Sequence, residues 1–312
     1  MSMIAFIFPG QGSQFSGMGK ELAADFSVAR QTFTEASDAL GFDMAALCFA
    51  GSDEDLRLTA NTQPAILTTS IAALRVVQQE TGLVPAFAAG HSLGEFSALV
   101  AVGTLGFAAA VKTVRLRGTF MQDAVPVGTG AMAAILGLER ETLQKLCTQA
   151  AAGQVVAPAN FNSADQIVIA GHAEAVARVM LLAKEAGAKR ALPLPVSAPF
   201  HSALMQPAAE RLAAVLTPLT FGPFSCPVVS NVEASAYADP TRVKELLVRQ
   251  VCAAVRWDES VLAMQKSGVK RFIEIGPGKV LTGLVKRIAK DCGAEQVDSP
   301  VSLMKLIAGS GA

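Results

Sequence analysis

A chain of 312 residues with 26 basic and 26 acidic side chains carries no net charge, so it has no basic stripe for nucleic acid, and nucleic acid is not expected as a partner. It is 51% hydrophobic but only 6% aromatic, a small-residue interior suited to helices packed on a sheet, as one large domain with an insertion or as two domains. The uncharged apolar candidate for a membrane span, Phe96 to Val111, is interrupted by Gly103 and Gly106 and is too short for a bilayer, so no membrane span is expected.

The first residues lack a basic leader pattern and break at Pro9-Gly10, so no signal peptide is expected. Five scattered cysteines with no C-x-x-C spacing read as reduced cytoplasmic thiols, without a zinc site or a disulfide framework.

Ile4 to Phe8 is a short apolar run that reads as a buried strand, ending in the glycine-rich turn Pro9-Gly-Gln-Gly-Ser-Gln14. Gln11 is a candidate side-chain donor there, although the turn lacks the ending of a phosphate-binding loop. Helices are expected over Glu21–Leu40, Asp53–Thr59 and Thr62–Thr81, the last with Asn61 as its cap and Pro64 in its first turn.

The run Phe87 to Phe96 contains Gly90-His91-Ser92-Leu93-Gly94, which fits G-x-S-x-G. A strand leads in and a helix-compatible run, Leu93 to Val102, leads out. A serine on so sharp a strand-to-helix turn is pushed out above the sheet, and the helix start behind it offers N–H groups to a developing oxyanion. A plain capped helix with Ser92 as N-cap is the alternative. A further helix, Phe107 to Asp123, carries Arg115 and Arg117. Either guanidinium could grip a carboxylate through paired hydrogen bonds, and the two point in different directions.

From Val125 the pattern becomes β (Ala131–Leu136), α (Arg140–Ala150), β (Gln154–Asn160), β (Gln166–Ala170), α (Ala173–Ala186), β (Lys189–Leu194), the ferredoxin-like βαββαβ order. The chain then resumes its larger unit. A helix follows His201, and a strand spans Pro227–Ser230. Helices open at Asp239-Pro240 and after Trp257. Strand Arg271–Ile275 leads through a glycine turn to a helix ending near Lys290, and the last residues, Gly309 to Ala312, are expected to fray. The fold expected is α/β: a hydrolase-like core with a mostly parallel sheet over residues 1–125 and 196–312, and a small ferredoxin-like unit over 126–195.

A serine hydroxyl needs an adjacent base, and the chain has three histidines. His91 adjoins Ser92 and should diverge from it. His172 sits at a strand-to-helix turn of the insertion and reads as a surface or capping residue. His201, in the loop where the chain re-enters the larger unit, is the best-placed base. A carboxylate to orient it would come from Asp123 or Asp165. Neither ends a strand of the main sheet, so a backbone group or an amide is the other option.

Several motifs together resemble the malonyl-CoA:acyl carrier protein transacylases of bacterial type II fatty-acid synthesis and, more broadly, the acyltransferase domains of polyketide synthases. They are Phe8-Pro-Gly-Gln-Gly-Ser13, Gly90-His-Ser-Leu-Gly-Glu95, Arg117, Asn160-Phe-Asn-Ser163, Pro195-Val-Ser-Ala-Pro-Phe-His201, Leu247-Val-Arg-Gln250 before Trp257, and Glu274-Ile-Gly-Pro-Gly-Lys279.

The resemblance implies that Ser92 takes a malonyl group from malonyl-CoA and passes it to the phosphopantetheine thiol of acyl carrier protein. His201 would be the base, oriented by the main-chain carbonyl of Gln250. Gln11 and the N–H of Leu93 would form the oxyanion hole. Arg117 would hold the malonyl carboxylate, His91 and Asn162 would flank the acyl path, and Phe200 would mark a preference for malonyl. It further implies no metal and no cofactor, and a monomer is expected. A polyketide or malonate-decarboxylase acyltransferase, or a serine hydrolase, would share most of these residues. Lys189-Arg190 and Lys286-Arg287 are candidate docking sites for an acidic carrier.

Overall fold

The computed structural model describes residues 3–196 and 198–310. Gly311 and Ala312, at the end expected to fray, and Ser197 of the Pro195–His201 motif lie outside the described residues.

Among the described residues, ten strands form two sheets. They are β1 (Met3–Phe8), β2 (Phe87–Gly90), β3 (Gly130–Leu136), β4 (Val156–Ser163), β5 (Gln166–His172), β6 (Arg190–Pro193), β7 (Val228–Val229), β8 (Ala236–Tyr237), β9 (Val269–Ile275) and β10 (Gly293–Val297). The larger sheet runs β10-β9-β1-β2-β7-β8. All its pairs are parallel except β7 with β8. A parallel sheet must be covered on both faces, which is why β1 is apolar without alternation. Phe6 and Phe8 enter the large core under the helices. Ala5 and Ile7 enter a second core with Trp257 and Phe272.

The smaller sheet runs β4-β5-β3-β6 and is wholly antiparallel. With helices Arg140–Ala150 and Ala173–Glu185 it has the expected βαββαβ order. The period of two divides its residues. Ala133, Ile135, Ile167 and Ile169 pack under those helices, while Met132, Ala134 and Val168 turn the other way and line a pocket. Val255 bonds to β4 through Phe161 N–H and Ala159 O, so the segment before Trp257 fixes this sheet against the larger one.

Several elements differ from expectation. The first helical run is two helices, Lys20–Asp25 and Ser27–Leu40, broken at the extended residue Phe26. Met44–Ala50 is a further helix, capped by the Asp43 side chain on Ala46 N–H. The long helix is Thr59–Thr81, with Leu58 as its N-cap. Asn61 therefore lies inside it, its amide donating to Asp55 O, and Pro64 falls in the second turn. This helix is buried nearly all round, so its start is set by packing more than by a cap.

His201 is followed by a 3-10 turn, Ala203–Met205, before the helix Gln206–Leu216. Past Lys290 the chain adds β10 on the sheet edge and the helix Pro300–Ser310. The polar stretch Ala294-Glu-Gln296 had concealed that strand.

Candidate active site

The elbow forms because two glycines leave room for each other and for β1. A Cβ on Gly90 would lie 1.9 Å from the Gly94 carbonyl carbon, and one on Gly94 would lie 2.1 Å from Phe8 O. Ser92 takes φ 52°, a left-handed conformation that costs a non-glycine residue energy and persists only where the surroundings hold it. Asn231 does the holding: its Oδ1 accepts from Ser92 N–H at 2.7 Å and its Nδ2 donates to Gly90 O at 2.7 Å. The helix behind, Gly94–Ala101, has Leu93 as its N-cap. Ser92 is thus freed from the capping role that was its alternative.

His201 also has positive φ, 58°. Its Nε2 lies 2.8 Å from Ser92 Oγ and its Nδ1 2.8 Å from the main-chain oxygen of Gln250. A carbonyl can only accept, so the ring proton sits on Nδ1 and Nε2 presents its lone pair to the serine hydroxyl. Burial first, and then the nearby Arg117 cation, lower the His201 pKa to about 3, which keeps the imidazole neutral.

The carboxylate options fall away. Asp123 pairs with Arg211 at the surface, and Asp165 accepts from Ser163. The third member is a backbone atom, the second of the two options.

Arg117 is buried, 1% exposed. It donates to Gln63 Oε1 at 2.8 Å, to Gln250 Oε1 at 2.9 Å and to Ser92 Oγ at 3.1 Å. Burial pulls its pKa down to about 10, and the Glu95 carboxylate opposes that shift, so it remains a cation at neutral pH. Arg115 turns away to Asn61 and the Phe42 ring. That decides between the two arginines.

The pocket above these groups measures about 210 Å³. Gln11, Leu93, His91, Asn162 and Phe200 line it together with Ser92, Arg117 and His201. His91 Nε2 lies 2.9 Å from Asn162 Oδ1, and Gln11 reaches Thr59 at 3.4 Å. His172 is elsewhere: it holds the N-cap position of its helix without a side-chain cap bond, and its ring accepts instead from Val155 N–H. Among the described residues no group of three or more His, Cys, Asp or Glu side chains is placed to hold a metal, and no helix is long and apolar enough to cross a membrane.

Three buried residues were not anticipated: Gln63, Asn231 and Glu95. Glu95 had a visible signal, as a lone charge at the head of the uncharged run Phe96 to Val111.

The pocket thus joins a neutral histidine and a buried cation, each within hydrogen-bonding distance of the hydroxyl of a strained serine. An acyl transferase domain model matches residues 5–309. The malonyl CoA-acyl carrier protein transacylase of Salmonella typhimurium is 52% identical over 303 residues, covering 97% of this chain and 98% of that protein. The Bacillus subtilis (strain 168) protein of the same name is 51% identical, covering 97% and 96%.

Among solved structures, an acyl carrier protein S-malonyltransferase from Vibrio cholerae superposes with TM-score 0.95 at 54% identity, covering 98% of this chain and all of that one. A malonyl-transacylase in complex with its type II polyketide acyl-carrier protein superposes with TM-score 0.97 at 50% identity, covering 99% and 100%. With its serine elbow and buried arginine in place, the chain belongs to the acyl transferase family and, within it, to the malonyl CoA-acyl carrier protein transacylases.

Proposed function

We propose that this chain moves the malonyl group of malonyl-CoA onto the phosphopantetheine thiol of an acyl carrier protein, through an ester on Ser92, and so supplies malonyl-carrier for fatty-acid synthesis. The observation that carries the reading is the contact of Arg117 with Ser92 Oγ, because it sets a buried cation beside the atom that would bear the acyl group.

In the first half-reaction His201 takes the Ser92 proton as Oγ attacks the thioester carbonyl, and returns it to the departing CoA thiolate. In the second it takes the proton of the carrier thiol, and returns it to Ser92 as the ester breaks. The Gln250 main-chain oxygen steadies the imidazolium in both. Gln11 and the Leu93 N–H receive the oxyanion, and the helix start at Leu93 favours negative charge there. Arg117 pairs with the malonyl carboxylate, while His91, Asn162 and Phe200 shape the acyl path. An acyl group without that carboxylate leaves the cation with no anion in direct contact inside the pocket, which is the basis of selection.

The chemistry needs only groups of the chain and of its two substrates, with no metal or further cofactor. We take the working form to be a cytoplasmic monomer whose larger unit spans residues 1–125 and 196–312 around the smaller unit, 126–195.

Intact-protein mass spectrometry after brief mixing with malonyl-CoA tests the reading. One malonyl adduct is expected, absent from Ser92→Ala and lost to acyl carrier protein on its addition. An adduct that only hydrolyses, or one formed with another acyl-CoA but not with malonyl-CoA, would overturn it.

A further inference from the structure

Glu95 has no part in the chemistry above, yet it lies directly beneath it. Its side chain is 0% exposed. One carboxylate oxygen, Oε2, accepts from Gln250 Nε2 at 2.6 Å and from Asn231 N–H at 3.1 Å. The other, Oε1, is buried with no hydrogen-bond partner among the described residues. The same Gln250 carboxamide presents its oxygen to Arg117 Nη2 at 2.9 Å. A single amide thus separates a buried carboxylate from the buried cation of the acyl pocket, and the same Arg117 nitrogen, Nη2, also touches Ser92 Oγ.

We propose that Glu95 sets the strength of malonyl selection: its carboxylate and the malonyl carboxylate draw on one buried cation, so that taking up malonyl drives a proton from solvent onto Glu95. The inference rests on the reading that Arg117 holds the malonyl carboxylate.

The direction follows from charge. With Glu95 ionised, the pair with Arg117 is neutral, and a malonyl group leaves the buried site with an excess negative charge. With Glu95 protonated, Arg117 and malonyl balance alone. In a poorly solvated site the second arrangement is favoured. The oxygen that takes the proton is Oε1, which has no donor to lose.

Every charged neighbour fits this assignment. Arg117, from the helix Phe107–Asp123, is the cation that favours the Glu95 anion, and Glu233, after β7, opposes it. Glu233 is itself neutralised at the surface by Arg242 and Arg249. Tyr237 on β8 faces Glu95 with its own proton held far above the neutral range by burial. His201 and His91 stay neutral because burial lowers both. Burial meanwhile raises the Glu95 pKa to about 7, so the group is poised to change state near neutral pH. A malonyl carboxylate, by claiming Arg117, raises it further.

Linkage then fixes the pH profile. Malonyl is bound most tightly below the free-enzyme pKa of Glu95. Selection over acetyl falls as pH rises through that value toward the higher pKa of the malonyl form, by at most about tenfold per pH unit.

The test mixes enzyme with malonyl-CoA or acetyl-CoA in weakly buffered indicator solution just above the Glu95 pKa, and compares wild type with Glu95→Gln. Wild type should take up a large fraction of one proton per malonyl ester and none per acetyl ester. Glu95→Gln should take up none with either, and its malonyl-to-acetyl ratio should be flat across the range in which the wild-type ratio falls. Infrared difference spectra of the native enzyme with ¹³C-malonyl give the same answer without a variant, as a side-chain carboxylate band replaced by a protonated carboxyl band.

Malonyl esters forming on wild type without proton uptake, or with uptake that persists in Glu95→Gln, would overturn this inference alone. No malonyl ester on wild type would overturn the functional reading and this inference with it.

Discussion

Gln250 and His201 are joined by a 2.8 Å contact from a main-chain oxygen to Nδ1, so the histidine proposed as the base is oriented by a group that cannot itself ionise. Its orientation therefore does not vary with pH, and what pH can change is the base. Because the His201 pKa is lowered to about 3, the imidazole is neutral from there upward. The acylation rate should show no acid limb near the ordinary histidine pKa of about 6.5, and should stay level until the pH approaches the lowered value. Rapid-quench acylation with acetyl-CoA, which brings no second carboxylate to Arg117, measures this. A limb at the ordinary histidine pKa would show that burial does not shift His201. His201→Ala should reduce acylation at least about a hundredfold.

Arg117→Ala removes a cation whose partners are Gln63, Gln250 and Ser92. Losing one member of a buried, hydrogen-bonded charge pair costs about 2–5 kcal/mol. Malonyl transfer should therefore fall by more than about thirtyfold, with acetyl transfer much less affected. Paired kcat/KM values for the two acyl-CoAs check this. An unchanged malonyl value would remove Arg117 from the acyl site.

The elbow was legible because its glycines answer a local need: no other residue fits where Gly90 meets Gly94 and Gly94 meets Phe8. The sheet order of the smaller unit was legible too, since alternating strands and two amphipathic helices leave few arrangements. Other features left no comparable trace. The partner of His201 is a main-chain oxygen, which any residue could supply, and Gln250 is brought in by the tertiary fold from 158 positions beyond Ser92. Asn231 and Gln63 also reach their partners from far along the chain, 139 and 54 positions away, and look like ordinary polar loop or helix residues. The break at Phe26 and the edge strand β10 depend on packing partners that a one-dimensional pattern does not contain.

Gly94→Ala provides a steric test of the elbow. Its new methyl would fall 2.1 Å from Phe8 O, a contact with backbone that no rotamer relieves. The expected outcome is loss of soluble folded protein or, where folding survives, loss of acylation from displacement of the Ser92 turn. Circular dichroism melts and malonyl labelling separate the two. Wild-type stability together with wild-type labelling would show that β1 and the elbow helix are not packed this closely.

Asn231→Ala separates the nucleophile from the cation. The substitution takes the acceptor from Ser92 N–H and the donor from Gly90 O, both now bonded at 2.7 Å. A buried polar group left unsatisfied costs about 1–3 kcal/mol, and the φ of 52° at Ser92 loses the clamp that offsets its strain. Thermal stability should fall, and acylation should slow for malonyl and acetyl alike. Arg117 keeps Gln63 and Gln250, so the malonyl-to-acetyl ratio should hold near its wild-type value. A falling ratio would mean that losing the Asn231 side chain also displaces its main-chain N–H, retained in the variant, from Glu95, and that the elbow and Arg117 cannot be varied separately.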